Sequence, residues 1–366
     1  MQRKIRVGVV FGGRSAEHEI SLLSAKNVIE ALDKNRYEPV LIGIDKSGEW
    51  HVRDAYQYLL NADNPKKVKL QGAKNQVALV AHPEDKNLVK LSQVGLFEPL
   101  DVIFPVLHGT YGEDGAIQGL LRMAGVPFVG PGILGSAVGM DKDVMKRLMR
   151  DAKLNTAKFI SLDAHDAHEM SFEKASKELG LPIFIKPANL GSSVGVSKVK
   201  NQKEYQAAVD KAFLYDRKIL LEEFIDGREI ECSIMGDERP IVSLPGEVIP
   251  KDDFHSYEAK YIEESGTVFV LPAAITAQET ARVQEASLRA YKVLCCEGMA
   301  RVDLFLKKDG TVYVNEINTI PGFTSTSMFP KLWEISGVPF PQVVDRLIDF
   351  ALKRAEKEKN LKTTFA

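Results

Sequence analysis

The chain has 366 residues, a length that corresponds to two or three domains. Lysine and arginine total 48 and aspartate and glutamate total 50, so the net charge is −2, and 45% of the residues are hydrophobic. This ordinary globular composition excludes collagen-like, low-complexity and wholly disordered chains, and the balanced charge argues against a protein that coats nucleic acid or acidic membranes.

The first third of the chain alternates between predicted strands and helices. An apolar, β-branched run over residues 5–11 is followed by a Gly-Gly-Arg-Ser turn and a helical period over 17–32. Further strands are predicted over 39–44, 77–80 and 101–107, and helices over 117–124 and 137–152. This alternation predicts an α/β domain with a mostly parallel sheet. The glycines do not form the G-x-G-x-x-G pattern of dinucleotide-binding folds, so a dehydrogenase is not supported.

After about residue 150, short strands dominate and the pattern predicts α+β units. The predicted strands cover 182–186, 194–199, 218–224, 229–235 and 240–249. The predicted helices cover 205–215, 276–294 and 341–358.

Cysteine content and hydropathy predict where the protein works. Cys232, Cys295 and Cys296 are too few for a disulfide framework. No apolar run approaches the roughly 18 residues of a membrane span, and no signal-peptide pattern precedes the first strand. We therefore expect a soluble, cytoplasmic protein.

A hairpin near the C-terminus provides the strongest site argument. Two β-type runs flank Asp-Gly at 309–310, a favoured two-residue hairpin turn. That turn places Asp303 opposite Glu316 and Arg301 opposite Asn318. Because side chains two residues apart share a face of a strand, all four polar groups are predicted on one side of the sheet.

These four residues suit a metal and an anion. Carboxylates directly opposite each other repel, so the Asp303–Glu316 pair favours a bound cation. A set of carboxylate and amide oxygens suits a hard ion such as Mg²⁺, and Arg301 beside it could bind a phosphate or an oxyanion. The alternative is an exposed, charged hairpin face.

Two segments upstream suggest a nucleotide. A strand ends at Lys186 and continues into a small-residue loop up to Gly195, whose backbone N–H groups can approach phosphate oxygens. The loop lacks the G-x-x-x-x-G-K-[ST] pattern of a P-loop, and a plain flexible loop is the alternative. Acidic residues near a strand end, Glu222, Glu223 and Glu229, could bind adenine and ribose or form a solvated edge.

Three further positions are candidates for substrate contacts. Gly322 can offer a backbone N–H, and Ser327 begins a predicted helix whose N-terminus favours carboxylate or phosphate. A simple Pro-Gly turn with an N-cap serine is the alternative. Glu17 opens the first helix and His108 ends a strand, where ligands bind in open α/β sheets, although a lone histidine there is more often structural.

Taken in order, these motifs resemble the D-alanine–D-alanine ligase family. They are Phe11-Gly-Gly-Arg-Ser-Ala-Glu-His-Glu-Ile-Ser21, His108-Gly109, Gly139-Met-Asp-Lys142, Lys186-Pro187 with Gly191-Ser-Ser-Val-Gly195, Tyr257-Glu-Ala-Lys-Tyr261, Arg301-Val-Asp303, and Asn315-Glu-Ile-Asn-Thr319 with Pro321-Gly322. The resemblance runs from about residue 5 to 350. Each motif is weak alone, and the ordered set is specific.

The resemblance implies an ATP-grasp fold, an α/β (α+β) architecture with ATP held between the second and third domains. The implied units are residues 1–135, an open α/β sheet domain, followed by the α+β units 136–226 and 227–366. The implied reaction is ATP-dependent ligation of two D-alanines through a D-alanyl phosphate, for peptidoglycan precursors. The implied partner is a second copy of the chain, in a homodimer.

For ATP and metal, the resemblance implies roles at matched positions. Lys142 and Lys186 would contact the phosphates, and Lys260 would approach the γ-phosphate. Adenine and ribose would bind at the strand end, at Glu222, Glu223, Phe224, Ile225 and Glu229. Two Mg²⁺ (or Mn²⁺) ions would be held by Asp303, Glu316 and Asn318.

For the amino acids, the resemblance implies a second set of contacts. Glu17 would hold the ammonium of the first D-alanine and join Ser192 and Tyr261 in a network that closes a loop. Arg301 and the Gly322 amide would stabilise the oxyanion. Ser327 would bind the carboxylate of the second D-alanine, and His108 would line the substrate site. Relatives that make D-alanyl-D-lactate typically have His at the position of Tyr261, so Tyr261 favours an amine nucleophile. Phe224 replaces a Trp of some relatives, and His18 an Arg, without changing the assignment.

Two rival functions remain open at the level of sequence. One is an ATP-grasp ligase that activates a different carboxylate, which a substrate panel would distinguish. The other is a nucleotide-binding regulator without turnover, which should tolerate loss of Arg301 or the lysines.

Overall fold

The computed structural model describes residues 3–53, 58–61, 64, 67–72, 75–80, 88–91, 98–250 and 267–362. Three sheets of four or more strands follow one another along these residues, each with its own covering helices. Lys260 and Tyr261 lie outside the described residues.

The first sheet has the strand order β7-β6-β3-β2-β1-β8. Its strands are β1 (Ile5–Gly12), β2 (Tyr37–Ile44), β3 (Trp50–Arg53), β6 (Asn75–Leu79), β7 (Leu88–Lys90) and β8 (Val102–Val106). A separate two-stranded pair is formed by β4 (Leu59–Leu60) and β5 (Lys69–Leu70). The helices in this first part of the chain are α1 (His18–Ala31), α2 (Ala116–Met123), α3 (Ile133–Met140) and α4 (Lys142–Asp151).

The prediction of a mostly parallel sheet was only half right. β1 pairs in parallel with β2 and β8, but β3, β6 and β7 join through antiparallel pairs. A short turn through Gly48 connects β2 to β3, and only antiparallel neighbours can be joined so tightly. The parallel core is buried on both faces, which explains the continuous apolar run of β1.

The single helix predicted over 137–152 is two helices. Asp141 has an extended backbone between them, and its carboxylate accepts hydrogen bonds from the backbone N–H groups of Asp143 and Val144 at 3.1 Å each. Aspartate is a favoured N-cap because it satisfies the free N–H groups of a first turn. The break makes Lys142 the first residue of α4, at the point where the chain enters the candidate site.

The central sheet is fully antiparallel, in the order β11-β10-β12-β9. Its elements are β9 (Phe159–Asp163), a 3₁₀ turn (Ala167–Glu169), α5 (Phe172–Leu179), β10 (Ile183–Pro187), β11 (Ser197–Val199), α6 (Gln202–Phe213) and β12 (Lys218–Glu223). β9 and α5 had no counterpart in the sequence prediction. One face packs on α5 and α6 through Ile183, Ile185, Ile219 and Leu221, and the alternate residues point away from that core.

The third sheet has the order β16-β15-β13-β17-β18, with β14 also paired to β13. Its strands are β13 (Arg228–Met235), β14 (Ile241–Val242), β15 (Gly246–Pro250), β16 (Thr267–Val270), β17 (Met299–Leu306) and β18 (Val312–Asn318). The helices after β16 and β18 are α7 (Ala277–Val293), α8 (Met328–Ile335) and α9 (Phe340–Lys359). One face of this sheet packs on α7, while α8 and α9 share a core with β1 and β8 of the first sheet.

The predicted hairpin register is confirmed at the site but not at the turn. Arg301 pairs with Asn318 and Asp303 with Glu316, as predicted, but an irregularity follows Asp303. The turn has three residues, because the Lys307 N–H bonds to the Thr311 carbonyl and Gly310 adopts a positive φ of 79°. The irregularity compensates for the longer turn and restores the predicted face.

Candidate active site

Three carboxylates lie side by side across the open face of the third sheet. Glu231 of β13 pairs with Asp303 of β17, which pairs with Glu316 of β18. The Asn318 side-chain amide donates to Asp303 Oδ2 at 3.0 Å. Sequence reasoning missed Glu231, although the alternation Glu229-Ile-Glu231 on a strand could have indicated it. The donor set is oxygen only, which fits a hard divalent cation.

Arg301 is the cation that the structure places among these acids. Its Nε and Nη2 donate to the two oxygens of Asp303 at 2.7 and 2.8 Å, and its Nε also lies 3.0 Å from Glu231 Oε2. The bidentate geometry fixes the guanidinium in one plane. Arg301 and the carboxylates are therefore brought together as the hairpin register predicted.

Two lysines, one in α4 and one in the central sheet, form ion pairs with carboxylates. Lys142 Nζ donates to the Leu190 carbonyl at 2.6 Å and lies 3.5 Å from Glu316 Oε2. It thus connects the loop after β10 to the third sheet. Lys186, at the end of β10, lies 2.7 Å from Glu222 Oε2. Among the described residues, Glu222 Oε1 is buried without a hydrogen-bond partner.

Strand alternation explains why these groups meet. Phe184 pairs with Glu222, and their neighbours two residues on, Lys186 and Phe224, continue the same face. That face is opposite to the apolar core face of the sheet. Phe224 is 42% exposed, and Lys198 Nζ lies 5.0 Å from its ring centroid. The face therefore carries an aromatic surface beside a buried carboxylate.

The remaining predicted nucleotide residues lie at the end of this strand. The Glu223 carboxylate accepts a hydrogen bond from the Lys158 backbone N–H at 2.7 Å, so its side chain is used to hold β9. Ile225 follows β12 in the half-buried connection to β13, and Glu229 is half-buried within β13.

Glu17 connects the first sheet to the loop after β10. It lies just before α1, and Ser192 Oγ donates a hydrogen bond to its carboxylate. A Cβ added at Gly109 would lie 2.7 Å from Glu17 Oε2, so only glycine leaves room there. The predicted Glu17–Ser192 pair is thus present.

Glu113 is a buried acid that sequence reasoning missed. Its two oxygens accept from the backbone N–H groups of Gly109 at 2.7 Å and Ile320 at 3.1 Å. Burial, and then the nearby charge of Glu17, raise its pKa to about 8. It joins the loop after β8 to the loop after β18, and no sequence pattern indicated this.

His108 supports the same loop from a second direction. Its Nδ1 lies 3.0 Å from the Ile320 carbonyl and its Nε2 lies 3.1 Å from Ser24 Oγ. A carbonyl can only accept, so Nδ1 carries the hydrogen and Nε2 accepts from Ser24. Ser24 Oγ also accepts from the Phe323 N–H at 3.1 Å. His108 is buried with both nitrogens engaged, which positions the loop that carries Gly322.

Gly322 and Ser327 are neighbours at the start of α8. A Cβ added at Gly322 would lie 2.6 Å from Ser327 Oγ. Ser327 is the N-cap of α8, and its hydroxyl bonds to Thr324 rather than to the helix. The N-terminus of α8 and the Gly322 backbone therefore follow the end of β18, where Asn318 pairs with Arg301. A helix N-terminus favours a bound anion.

Comparison with known proteins identifies the family. A sequence model described as D-ala D-ala ligase C-terminus matches residues 148–349, and one described as D-ala D-ala ligase N-terminus matches residues 6–131. The chain belongs to the D-alanine–D-alanine ligase family.

Relatives in this family match over the whole chain. The D-alanine–D-alanine ligase of Shouchella clausii (strain KSM-K16) is 50% identical over 361 residues, covering 99% of this chain and 98% of the relative. Ligase A of Escherichia coli (strain K12) is 50% identical over 361 residues, with 99% of both chains covered.

Solved structures agree with this assignment. The D-alanine–D-alanine ligase from Coxiella burnetii matches with a TM-score of 0.85 and 36% identity, covering 98% of this chain and 97% of that one. The VanG D-Ala:D-Ser ligase from Enterococcus faecalis matches with a TM-score of 0.82 and 34% identity, covering 95% and 100%. The predicted ATP-grasp fold is confirmed. Within the described residues, no helix is both long and apolar enough to cross a membrane.

Because His108 is buried, we expect the free energy of unfolding to decrease at acidic pH. Burial lowers its pKa to about 4, from an ordinary value of 6.5, despite the bond to Ile320. Below pH 6.5 the histidine is protonated in the unfolded chain, but in the folded chain it is protonated only near pH 4. The free energy of unfolding therefore falls as the pH is lowered from 6.5 to 4. We expect the stability advantage of wild type over His108→Gln to shrink by about 3 kcal/mol between pH 7 and pH 4.

Urea denaturation at each pH measures this difference. His165→Gln is the matched control, because it makes the same substitution at a histidine whose side chain is 78% exposed rather than buried. An advantage for His108 that is constant from pH 7 to pH 4 would contradict the burial argument.

Proposed function

We propose that this protein joins two D-alanine molecules, with ATP, to give D-alanyl-D-alanine, ADP and phosphate for peptidoglycan precursors. The proposal rests on two observations: the family models match most of this chain, and Lys142 of α4 lies 3.5 Å from Glu316 of the third sheet. Because ATP is consumed, we also propose a cytoplasmic location.

ATP lies between the units that we assign to residues 136–226 and 227–366, with 1–135 as the first unit. Lys142 and Lys186 contact its phosphates, which their positions at a helix start and a strand end support. The unpartnered, buried Oε1 of Glu222 is the acceptor for the adenine amino group. The ring of Phe224 covers the base. Glu229 binds the ribose, and the backbone groups of Glu223 and Ile225 bind the remaining edge of the base.

Two Mg²⁺ (or Mn²⁺) ions are assigned to Asp303, Glu316 and Asn318. When bound, they neutralise charge on the transferred phosphoryl group. The geometry that supports this is the row of acids, which holds more negative charge than Arg301 alone offsets.

The first D-alanine must be activated because its carboxylate has no good leaving group. A carboxylate does not react with an amine at neutral pH, but transfer of the γ-phosphoryl group to its oxygen gives an acyl phosphate with a good leaving group. Glu17 holds the ammonium of this D-alanine, and Lys260 approaches the transferred phosphoryl group. Acyl phosphates hydrolyse, so the Ser192–Glu17 contact and Tyr261 serve to close the loop and exclude water.

The second D-alanine is bound by its carboxylate at Ser327 and the start of α8, with His108 beside the substrate site. Its neutral amine attacks the acyl carbon, and the tetrahedral oxyanion accepts hydrogen bonds from Arg301 and the Gly322 N–H. One such donor stabilises the transition state by about 3 kcal/mol. The bond between the acyl carbon and the phosphate oxygen then breaks, the attacking nitrogen releases one proton to solvent, and the dipeptide and phosphate are formed.

Phosphate release tests the proposed reaction directly. Purified protein with ATP and Mg²⁺ should release phosphate and form the dipeptide when D-alanine is added, and not with L-alanine or without the divalent ion. If D-alanine has no effect while ATP binds, another carboxylate is the substrate. A D-serine arm is included because a D-Ala:D-Ser ligase shares the fold.

Two adjacent serines provide a matched test of loop closure. Ser192 Oγ donates to Glu17, and Ser193 follows it with a similar positive φ (52° and 59°). We expect Ser192→Ala to lower kcat/KM for D-alanine by about 10- to 100-fold, as for a lost hydrogen bond to a charged group. Ser193→Ala should stay close to wild type. Equal effects of the two variants on steady-state kinetics would contradict the role of Ser192.

We further propose a homodimer through the first unit. α2 and α3 expose apolar side chains together, including Met123 at 78% and Leu134 at 60%. Burying these residues against a second copy removes them from water. Sedimentation should show a dimer that Met123→Glu converts to monomer, whereas Leu214→Glu, exposed on the central unit, leaves it intact. A monomeric wild type at micromolar concentration would contradict the proposal.

A further inference from the structure

Lys146 is a buried lysine that the proposed reaction does not use. It lies one helical turn after Lys142 in α4, and its side chain has 0% exposure. Lysine is almost never fully buried without a charged partner, because removing an ammonium from water is costly. Its partner is Glu222, whose Oε2 lies 3.4 Å from Lys146 Nζ. The pair joins a helix to the middle of the central sheet's open face.

Glu222 is thus held by two lysines. Lys186 lies 2.7 Å from the same oxygen, on the other element that frames the site. Burial alone would raise the pKa of Glu222, but Lys146 and then Lys186 outweigh burial and lower it. The carboxylate stays ionised, with Oε2 engaged by the lysines and Oε1 available to a ligand.

The two lysines differ in what else they can reach. In the proposed reaction Lys186 contacts the phosphates of ATP, so its charge is shared between Glu222 and the nucleotide. Lys146 has no exposure through which to reach a nucleotide, and its only ion-pair distance among the described residues is to Glu222. When ATP draws Lys186 toward the phosphates, Lys146 remains to hold Glu222.

We propose that Lys146 is a positioning residue that keeps Glu222 an oriented hydrogen-bond acceptor and thereby selects adenine, which presents an amino group where guanine presents a carbonyl oxygen. This rests on the proposed function. An ionised carboxylate accepts from the amino group of adenine and repels the carbonyl oxygen that guanine presents at the same position. Loss of Lys146 weakens the ionised form, and a protonated carboxyl could donate to that oxygen instead.

The test compares ATP and GTP in D-alanine-dependent phosphate release. Lys146→Met should raise KM for ATP at least tenfold with little change in kcat, and should reduce the ATP-over-GTP ratio of kcat/KM at least tenfold. The control is Lys218→Met, the same substitution at a lysine that lies 2.6 Å from Asp141, outside the base site. It should lower thermal stability and leave the ratio unchanged. A purely structural role for Lys146 would give the same pattern as this control.

A double variant keeps the test usable if Lys146→Met does not fold. Lys146→Met with Glu222→Gln removes the charges of both members of the fully buried pair, and it should have the same ATP-over-GTP ratio as Glu222→Gln alone. A ratio that still differs, or an active Lys146→Met with the wild-type ratio, overturns the role of Lys146. Absence of D-alanine-dependent release in wild type counts against the ligase reaction itself, so the two failures are distinct.

Discussion

The row of carboxylates across the third sheet is the constraint on which the rest of the site depends. Side chains on paired strand positions are about 5 Å apart, and two like charges at that distance repel by roughly 3 kcal/mol at an effective dielectric constant of about 20. Glu231, Asp303 and Glu316 therefore require cations close by. Arg301 supplies one within the sheet and Lys142 another from α4.

The same charge balance is repeated on the central sheet with the signs reversed. There one carboxylate, Glu222, is surrounded by Lys146 and Lys186. Both sheets use strand alternation in the same way: the apolar face packs on helices, and the polar side chains lie on the opposite face. Lys142 brings the two sets together, because its ammonium lies 3.5 Å from Glu316 of the third sheet.

The loop after β18 is held from the first sheet. Glu113, His108 and Ser24 each bond to its backbone, and Asn27 donates to the Phe323 carbonyl at 2.9 Å. Residues of and around the first sheet therefore fix the position of the loop that carries Gly322.

Sequence alone determined the features that depend on local pattern. The Asp303–Glu316 register followed from strand alternation and a turn signal, even though a three-residue turn and a compensating irregularity replaced the predicted turn. The ordered motifs identified the family because they combine many short local signals. Only the tertiary structure showed the contacts of Glu113 and Lys146, and the way His108 supports its loop. Their partners are distant in the chain, 212 residues away for His108 and Ile320, so no local periodicity could reveal which side chains would be buried together.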